Sequence, residues 1–224
     1  MRRTPTPKGR YLSSLYYEDD EIDQICLTAL TETDLLPSKP DRIRIDRLIE
    51  KKFTREIIYE SLDGMLGFTD FGPTGVEAVH IGEPPGDLIV QEERRVNSTL
   101  AHEAGHCLLH TSLYIELYAH HAQSGKETLP PQMRISCRTE QPSLTTKSKA
   151  YSGEWWEYQA NHAIGALLMP QPLVSIFLEP FHKQYGTTNL SQFPKKTRRA
   201  IIEAASRVFD VNQSVARFRL NLPY

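Results

Sequence analysis

The chain is 224 residues long with a formal net charge of -2, which allows one domain, or one domain with a small appendage, and gives no electrostatic footprint for nucleic acid. At 39% hydrophobic and 24% charged residues it has the apolar material for a globular core, and no stretch of membrane-spanning length is free of charges. Three cysteines, Cys26, Cys107 and Cys137, are odd in number and far apart, which fits a reducing compartment rather than a disulfide framework.

The opening "MRRTPTPKGRYLSS" is basic with no apolar run behind it, so it is not a secretory signal, and a cytoplasmic protein is expected. Residues 1–16 are expected to lack regular structure. Ile22, Ile25, Leu27, Leu30 and Leu35 fall near helical spacing and predict a helix from Glu18 to about Leu36, ended by "PSKPD". "RIRIDRLIEKKF", 42–53, reads as a short amphipathic helix. "REIIYESL", 55–62, and "VEAVHI", 76–81, read as strands, with the Gly-rich link between them as a long hairpin or loop, and "LIVQ", 88–91, as a third strand. A helix is predicted over about 94–111. Residues 119–153 are polar and read as a long loop or insertion, interrupted by a strand-like "MRISCR". "EWWEYQANHAIGALLM", 154–169, is a helix stopped at Pro170, and "PLVSIFLEPFHKQY" another, broken or restarted near Pro180. Helices over 195–209 and in "NQSVARFRLN" complete the chain. No internal repeat is evident. Few strands followed by many helices give an α+β fold: a small twisted β-sheet packed on helices.

The chemistry lies in "TLAHEAGHCLLH", 99–110. His102, Glu103 and His106 form H-E-x-x-H. Residues four apart on a helix are about 40° apart around its axis, one turn along. Both imidazoles then point the same way and can grip one Zn²⁺. Glu103 sits beside such a metal without ligating it, placed to take a proton from water. A chance match within an amphipathic helix is the bland alternative, but small and apolar flanks favour the metal.

A catalytic zinc needs a third protein ligand and one open position. On the helix 154–169, Glu157 and Asn161 share one face, and Glu154 and Tyr158 another. The remainder of that helix is apolar, so a metal would give Glu157 its partner and Asn161 a supporting role; alternatively Glu157 simply faces solvent.

Together "TLAHEAGHCLLH" and "EYQANHAIGALLMP" resemble the ImmA/IrrE metallo-endopeptidase family, and the likeness extends more loosely over about 75–222. The family's signature is an H-E-x-x-H helix, often with a further histidine four residues on, and a later helix carrying E-x-x-A-N before an L-L-M-P-like ending. The resemblance implies His102 and His106 as ligands, Glu103 as catalytic base, and Glu157 rather than Glu154 as third ligand, since Glu157 stands three before Ala160-Asn161. It implies a zincin-like active-site helix, with a second helix supplying the glutamate. The expected layout is an N-terminal extension and helix, 1–40, and a zinc metallopeptidase-like domain, 41–224, with 119–153 inserted. Members are zinc peptidases or peptidase-like proteins, often tied to control of a DNA-binding repressor in mobile elements, toxin–antitoxin-type pairs or stress responses. The fifty residues between His106 and Glu157 exceed the spacing of compact members.

His110 shares the ligand face but lies too far along for an easy third bond, so it reads as a supporting or packing histidine. His120 and His121 are expected in solvent and Cys107 in the core. Cys137 reads as a core strand residue, with a regulatory thiolate as the alternative. Tyr114, Tyr118, Tyr151 and Tyr158 are candidates to stabilise an oxyanion. Arg198, Arg199, Arg207, Arg217 and Arg219 read as a solvated helix face. Two functions follow: a zinc-dependent endopeptidase cleaving a protein such as a DNA-binding repressor, or a regulatory binding protein that keeps the zinc-site fold without efficient cleavage.

Overall fold

The computed structural model describes residues 1–6, 11–83, 90–124, 134–137 and 154–222. The chain opens with an antiparallel pair, β1 (Arg2–Pro5) and β2 (Ser13–Tyr16), with Arg2 opposite Tyr16 and Pro5 opposite Ser13. This corrects the expectation that 1–16 lacks regular structure. Tyr11, Ser13, Leu15 and Tyr17 alternate inward and are all buried, a period of two that a half-buried strand requires.

Helix α1 (Asp19–Glu32) starts with a capping box between Glu18 and Glu21 and buries Ile22, Cys26, Ala29 and Leu30 at helical spacing. Helix α2 (Ile45–Phe53) buries Ile45, Leu48 and Ile49, and ends at Thr54 in the left-handed region, φ 55°. The strands β3 (Ile57–Glu60), β4 (Gly67–Gly72), β5 (Gly75–Gly82) and β6 (Arg134–Cys137) form one sheet in the order β3-β5-β4-β6. β3 runs parallel to β5, and β4 is antiparallel to both β5 and β6. The link read as hairpin or loop therefore contains a central strand. Its glycines hid it, and one of them has a structural use. A Cβ on Gly67 would lie 2.9 Å from Thr99 Cγ2 and 2.9 Å from the His80 carbonyl oxygen, so β4 comes close to the next helix only with glycine there.

That helix, α3 (Val90–Gln123), runs 34 residues, longer than predicted at both ends. Val90 and Gln91, read as part of a strand, are helical; residues 88–89 lie outside the described residues, as does most of 125–153. Helix α4 (Trp155–Leu168) is buried almost throughout its second half, as its Ala, Ile and Leu content demands. It packs against both α3 and α1. Helix α5 (Gln171–Tyr185) continues through Pro180, contrary to the expected break. The bond that proline forfeits belongs to the carbonyl of Ile176, on an exposed residue where water can replace it. A 3₁₀ turn at Leu190–Gln192, α6 (Lys195–Val208) and α7 (Gln213–Arg219) close the core. Among the described residues no single helix is long and apolar enough to cross a membrane.

One contiguous hydrophobic cluster joins Tyr11, Leu15 and Ile22 to Leu109, Ile164 and Phe209. The hairpin is therefore part of the core and not an appendage to it. Leu15, 1% exposed, should cost about 2–5 kcal/mol when truncated to alanine, read as a fall in urea midpoint. An unchanged midpoint would mean that the hairpin is not docked in solution.

Candidate metal centre

α3 and α4 meet around Gly105. A Cβ there would stand 2.8 Å from Ala163 Cβ and 3.2 Å from Ala160 Cα, so the crossing tolerates only small residues on both sides. Contacts run in opposite senses along the two helices: His102 meets Asn161, and further along α3 His110 meets Gln159 and Trp155.

This approach gathers three ligand atoms from two helices, with His106 and Glu157 51 residues apart in sequence. His102 Nε2 lies 3.2 Å from Glu157 Oε2, and His106 Nε2 lies 3.6 Å from Glu157 Oε1. The two Nε2 atoms are 3.0 Å apart. All three ligand atoms lie within 4.8 Å of one another, and the group can hold a metal ion. Both histidines are buried, and Glu157 is 26% exposed on its side chain. Glu154, the other glutamate of this helix, is exposed at its N-cap.

The outward nitrogens are engaged. His102 Nδ1 pairs with Asn161 Oδ1 at 3.1 Å, and His106 Nδ1 with His110 Nδ1 at 3.0 Å. Each imidazole thus has a partner behind it and presents Nε2 to the common point, the arrangement metal-ligating histidines usually have. His110 itself is fully buried and supports His106 from behind. Burial and the neighbouring His106 push it down to about 3, so it is neutral.

Glu103 is 0% exposed. Its Oε2 accepts from Thr69 Oγ1 at 2.7 Å, while its Oε1 has no hydrogen-bond partner among the described residues. Thr69 comes from β4, which runs alongside α3. Two strand residues advance about 6.7 Å and four helical residues about 6 Å, so the contact of Gly67 with Thr99 recurs as Thr69 on Glu103. Burial is the largest influence on Glu103 and raises its carboxyl to about 7, against the lowering effects of His102 and Thr69. For Glu157 burial also opposes ionisation, but His106 and His102 outweigh it and hold the carboxyl well below the usual range. For His102 burial disfavours the charge, yet the bond to Glu157 and the charges of Glu103 and Glu157 raise its affinity for a proton. The site therefore favours a cation between its carboxylates. A proton on His102 fills that need in the metal-free protein, and a metal ion would displace it.

Thr69 and Gln159 belong to this site, and sequence reading passed over both. Gln159 carried a signal, as a polar residue on a helix otherwise suited to the core; Thr69 in its Gly-rich link carried none. The candidate tyrosines lie elsewhere. Tyr114 is buried, paired with the Tyr11 hydroxyl at 2.8 Å and stacked on Phe71; Tyr118 bonds the Phe71 carbonyl, and Tyr158 bonds Asp19. Tyr151 lies outside the described residues. Cys107 packs in the core, where burial pushes its thiol far up. The backbone of Cys137 pairs opposite Gly67. His120 and His121 stand in the last turn of α3, about 20 Å beyond His106 by helical rise. Arg219 is not on a solvated face: 8% exposed on its side chain, it bonds Asp23 and the Met169 carbonyl and ties α7 to α1 and α4.

No family model matches the chain, and no curated protein matches it. Among solved structures it is similar to a Mycobacterium tuberculosis transcriptional regulator, with 15% sequence identity and a TM-score of 0.47 over 92% of this chain. The chain spans 48% of that protein. At these values nothing about function follows from the likeness.

Purified protein should carry about one metal ion per chain, lost on His102→Ala or His106→Ala, as measured by elemental analysis. Glu157→Ala should weaken binding strongly and Glu154→Ala should spare it; the reverse pattern would mean that the helix register is wrong. A second outcome concerns pH. In metal-free protein the folded state holds the Glu103 proton more tightly than the unfolded chain, with the pKa moved from 4.5 to about 7. Stability from this group is full below 4.5 and lost as pH rises through about 7. Wild type should therefore lose up to about 3 kcal/mol relative to Glu103→Gln across that window. Parallel stability curves for the two proteins would show that Glu103 does not ionise in a buried site.

Proposed function

We propose that this protein is a zinc-dependent endopeptidase with a zincin-like active-site helix, and that its substrate is a regulatory protein such as a DNA-binding repressor. The observation that carries this reading is Glu103. A structural metal site has no use for a buried carboxylate beside its ligands. Here one is held by Thr69 through one oxygen, and its other oxygen has no partner among the described residues. Keeping such a group buried is costly, and catalysis gives it a purpose. The donor set of two imidazoles and one carboxylate suits zinc. The joint occurrence of H-E-x-x-H and E-x-x-A-N, which resembles the ImmA/IrrE family, supports the substrate class.

Zinc, if bound, would supply Lewis acidity toward water and a carbonyl. The chain does the rest. His102, His106 and Glu157 would hold the ion, and Asn161 and His110 keep the two rings aimed. Thr69 fixes the Glu103 carboxylate so that Oε1 is the oxygen presented to water. Glu103 takes the water's proton as the nucleophile attacks the scissile carbonyl, and returns it to the leaving amine. Its affinity for a proton, raised by burial, makes both transfers feasible near neutral pH, and a nearby cation keeps it ionised before the reaction.

Glu103→Gln keeps the shape and the bond from Thr69 while removing the base. The variant should fold and bind zinc as wild type does, and cleave its substrate at least about 10²-fold more slowly. The assay is digestion of a repressor-like protein encoded beside it, alongside a measure of derepression in cells. If Glu103→Gln relieves repression as well as wild type, the protein acts by binding and the peptidase reading fails.

A further inference from the structure

The catalytic reading leaves the N-terminal hairpin and Gln159 without a task, yet the two are joined to the metal centre by a chain of hydrogen bonds. Gln159 Nε2 lies 2.7 Å from the Leu15 carbonyl oxygen, and Gln159 Oε1 lies 2.9 Å from His110 Nε2. His110 Nδ1 lies 3.0 Å from His106 Nδ1. Leu15, Gln159, His110 and His106 are all buried.

The polarity of this chain follows from one fixed end. A backbone carbonyl can only accept, so the amide nitrogen of Gln159 must face Leu15 and its oxygen must face His110. An amide oxygen can only accept, so His110 carries its proton on Nε2. A neutral His110 then has a bare Nδ1, and His106 must donate to it from its own Nδ1. His106 Nε2 is left with a lone pair, at the point where His102 and Glu157 converge. Without the Leu15 carbonyl a second chain is equally consistent. The amide turns over and donates to His110 Nε2, His110 donates from Nδ1, His106 accepts there, and its proton moves to Nε2. In that arrangement His106 cannot ligate.

We propose that the hairpin is a positioning element of the metal centre: the Leu15 carbonyl, through Gln159 and His110, keeps the proton of His106 on Nδ1 and leaves Nε2 bare for a metal. The hairpin is set in register on α3 by Tyr17, whose hydroxyl bonds the Leu109 carbonyl, by Tyr11 on Tyr114, and by Ser13 on Glu116. Docking of the hairpin and binding of the metal select the same chain, so each strengthens the other, and this reciprocity is required by linkage. A partner that lifts β2 from α3 lowers metal affinity without touching a ligand. The inference rests on the metal reading of His102, His106 and Glu157.

The test uses the full-length, ¹⁵N-labelled protein. In the metal-free wild type, ring-nitrogen shifts should show His106 protonated on Nδ1 and His110 on Nε2. Gln159→Met, close in volume, should bind zinc about 10–100-fold more weakly in competition with a chromophoric chelator, the usual scale for losing a partner behind a ligating histidine. Gln159→Glu keeps an acceptor for His110 but sets a carboxylate oxygen against the Leu15 carbonyl, which also only accepts, so it should not restore affinity. In metal-free Gln159→Met the His106 ring-nitrogen shifts should move away from protonation on Nδ1, a change that a merely structural role for Gln159 does not produce. Adding zinc should slow amide exchange over residues 11–17 in wild type and not in Gln159→Met. His106 protonated on Nε2 in the metal-free wild type overturns the proposal, and that spectrum decides even if Gln159→Met fails to fold. Zinc affinity unchanged in folded Gln159→Met overturns it as well. Wild type that takes up no zinc defeats the metal reading itself, a result the metal-free spectrum keeps separate from failure of the relay.

Discussion

Everything at the site depends on how closely two helix backbones approach at Gly105. With Ala160 and Ala163 opposite, α3 and α4 pack with no side chain between them, and a single added methyl would meet Ala163 Cβ at 2.8 Å. That approach brings His102 and His106 within reach of Glu157, and His102 within a hydrogen bond of Asn161. Glycine inside a helix costs roughly 1 kcal/mol against alanine, so its presence mid-helix points to the crossing rather than to helix stability. The same device recurs on the other side of α3, where Gly67 admits β4 and aligns Thr69 with Glu103. Two glycines thus set the distances on which the chemistry rests.

Those distances concentrate charge in a dry place. Four ionisable side chains, His102, Glu103, His106 and Glu157, share a site in which three are fully buried. Each carboxylate there needs a cation, and each imidazole must remain neutral to ligate. The conflict is resolved in one way by a proton on His102 and in another by a metal ion, and the two compete for the same lone pair. Site geometry and acid–base balance are therefore a single property of the crossing.

The parts of this arrangement legible in sequence were those with a helical period. The spacing of His102 and His106 fixed their shared direction once the segment was read as helix, and the spacing of Glu157 and Asn161 put them on one face of the next. Neither spacing could say that the two helices meet, because contact depends on Gly105 facing Ala160 and Ala163. The strands were the harder reading. The period-two burial of Tyr11, Ser13, Leu15 and Tyr17 was masked by a serine on the inward face and by prolines before it. β4 was masked by glycines that serve close packing rather than looping. Pro180 misled in the opposite direction, since a proline on a solvent-facing turn loses a bond that water can replace. Gln159 stood out only as a polar residue on a core-packing helix; its partners, His110 and the Leu15 carbonyl, are distant in sequence and no pattern of apolar spacing points to them.

The site is also non-local in a way that shapes its energetics. Its residues come from β4, α3 and α4, and the outermost link comes from β2, 144 residues from Gln159. The ligands themselves come from two helices, α3 and α4, whose approach is set by the packing around them. Metal affinity is therefore drawn from the folding of the whole core, and metal binding returns the same free energy to it. The hairpin sits at the end of this dependence. It contributes no ligand and is held by aromatic packing of Tyr11 on Trp156 and Tyr114 and by a few hydrogen bonds. A site whose ligand orientation ends in such an element can be loosened from outside while its first ligands stay in place, and loss of that outer contact acts on affinity before it acts on structure.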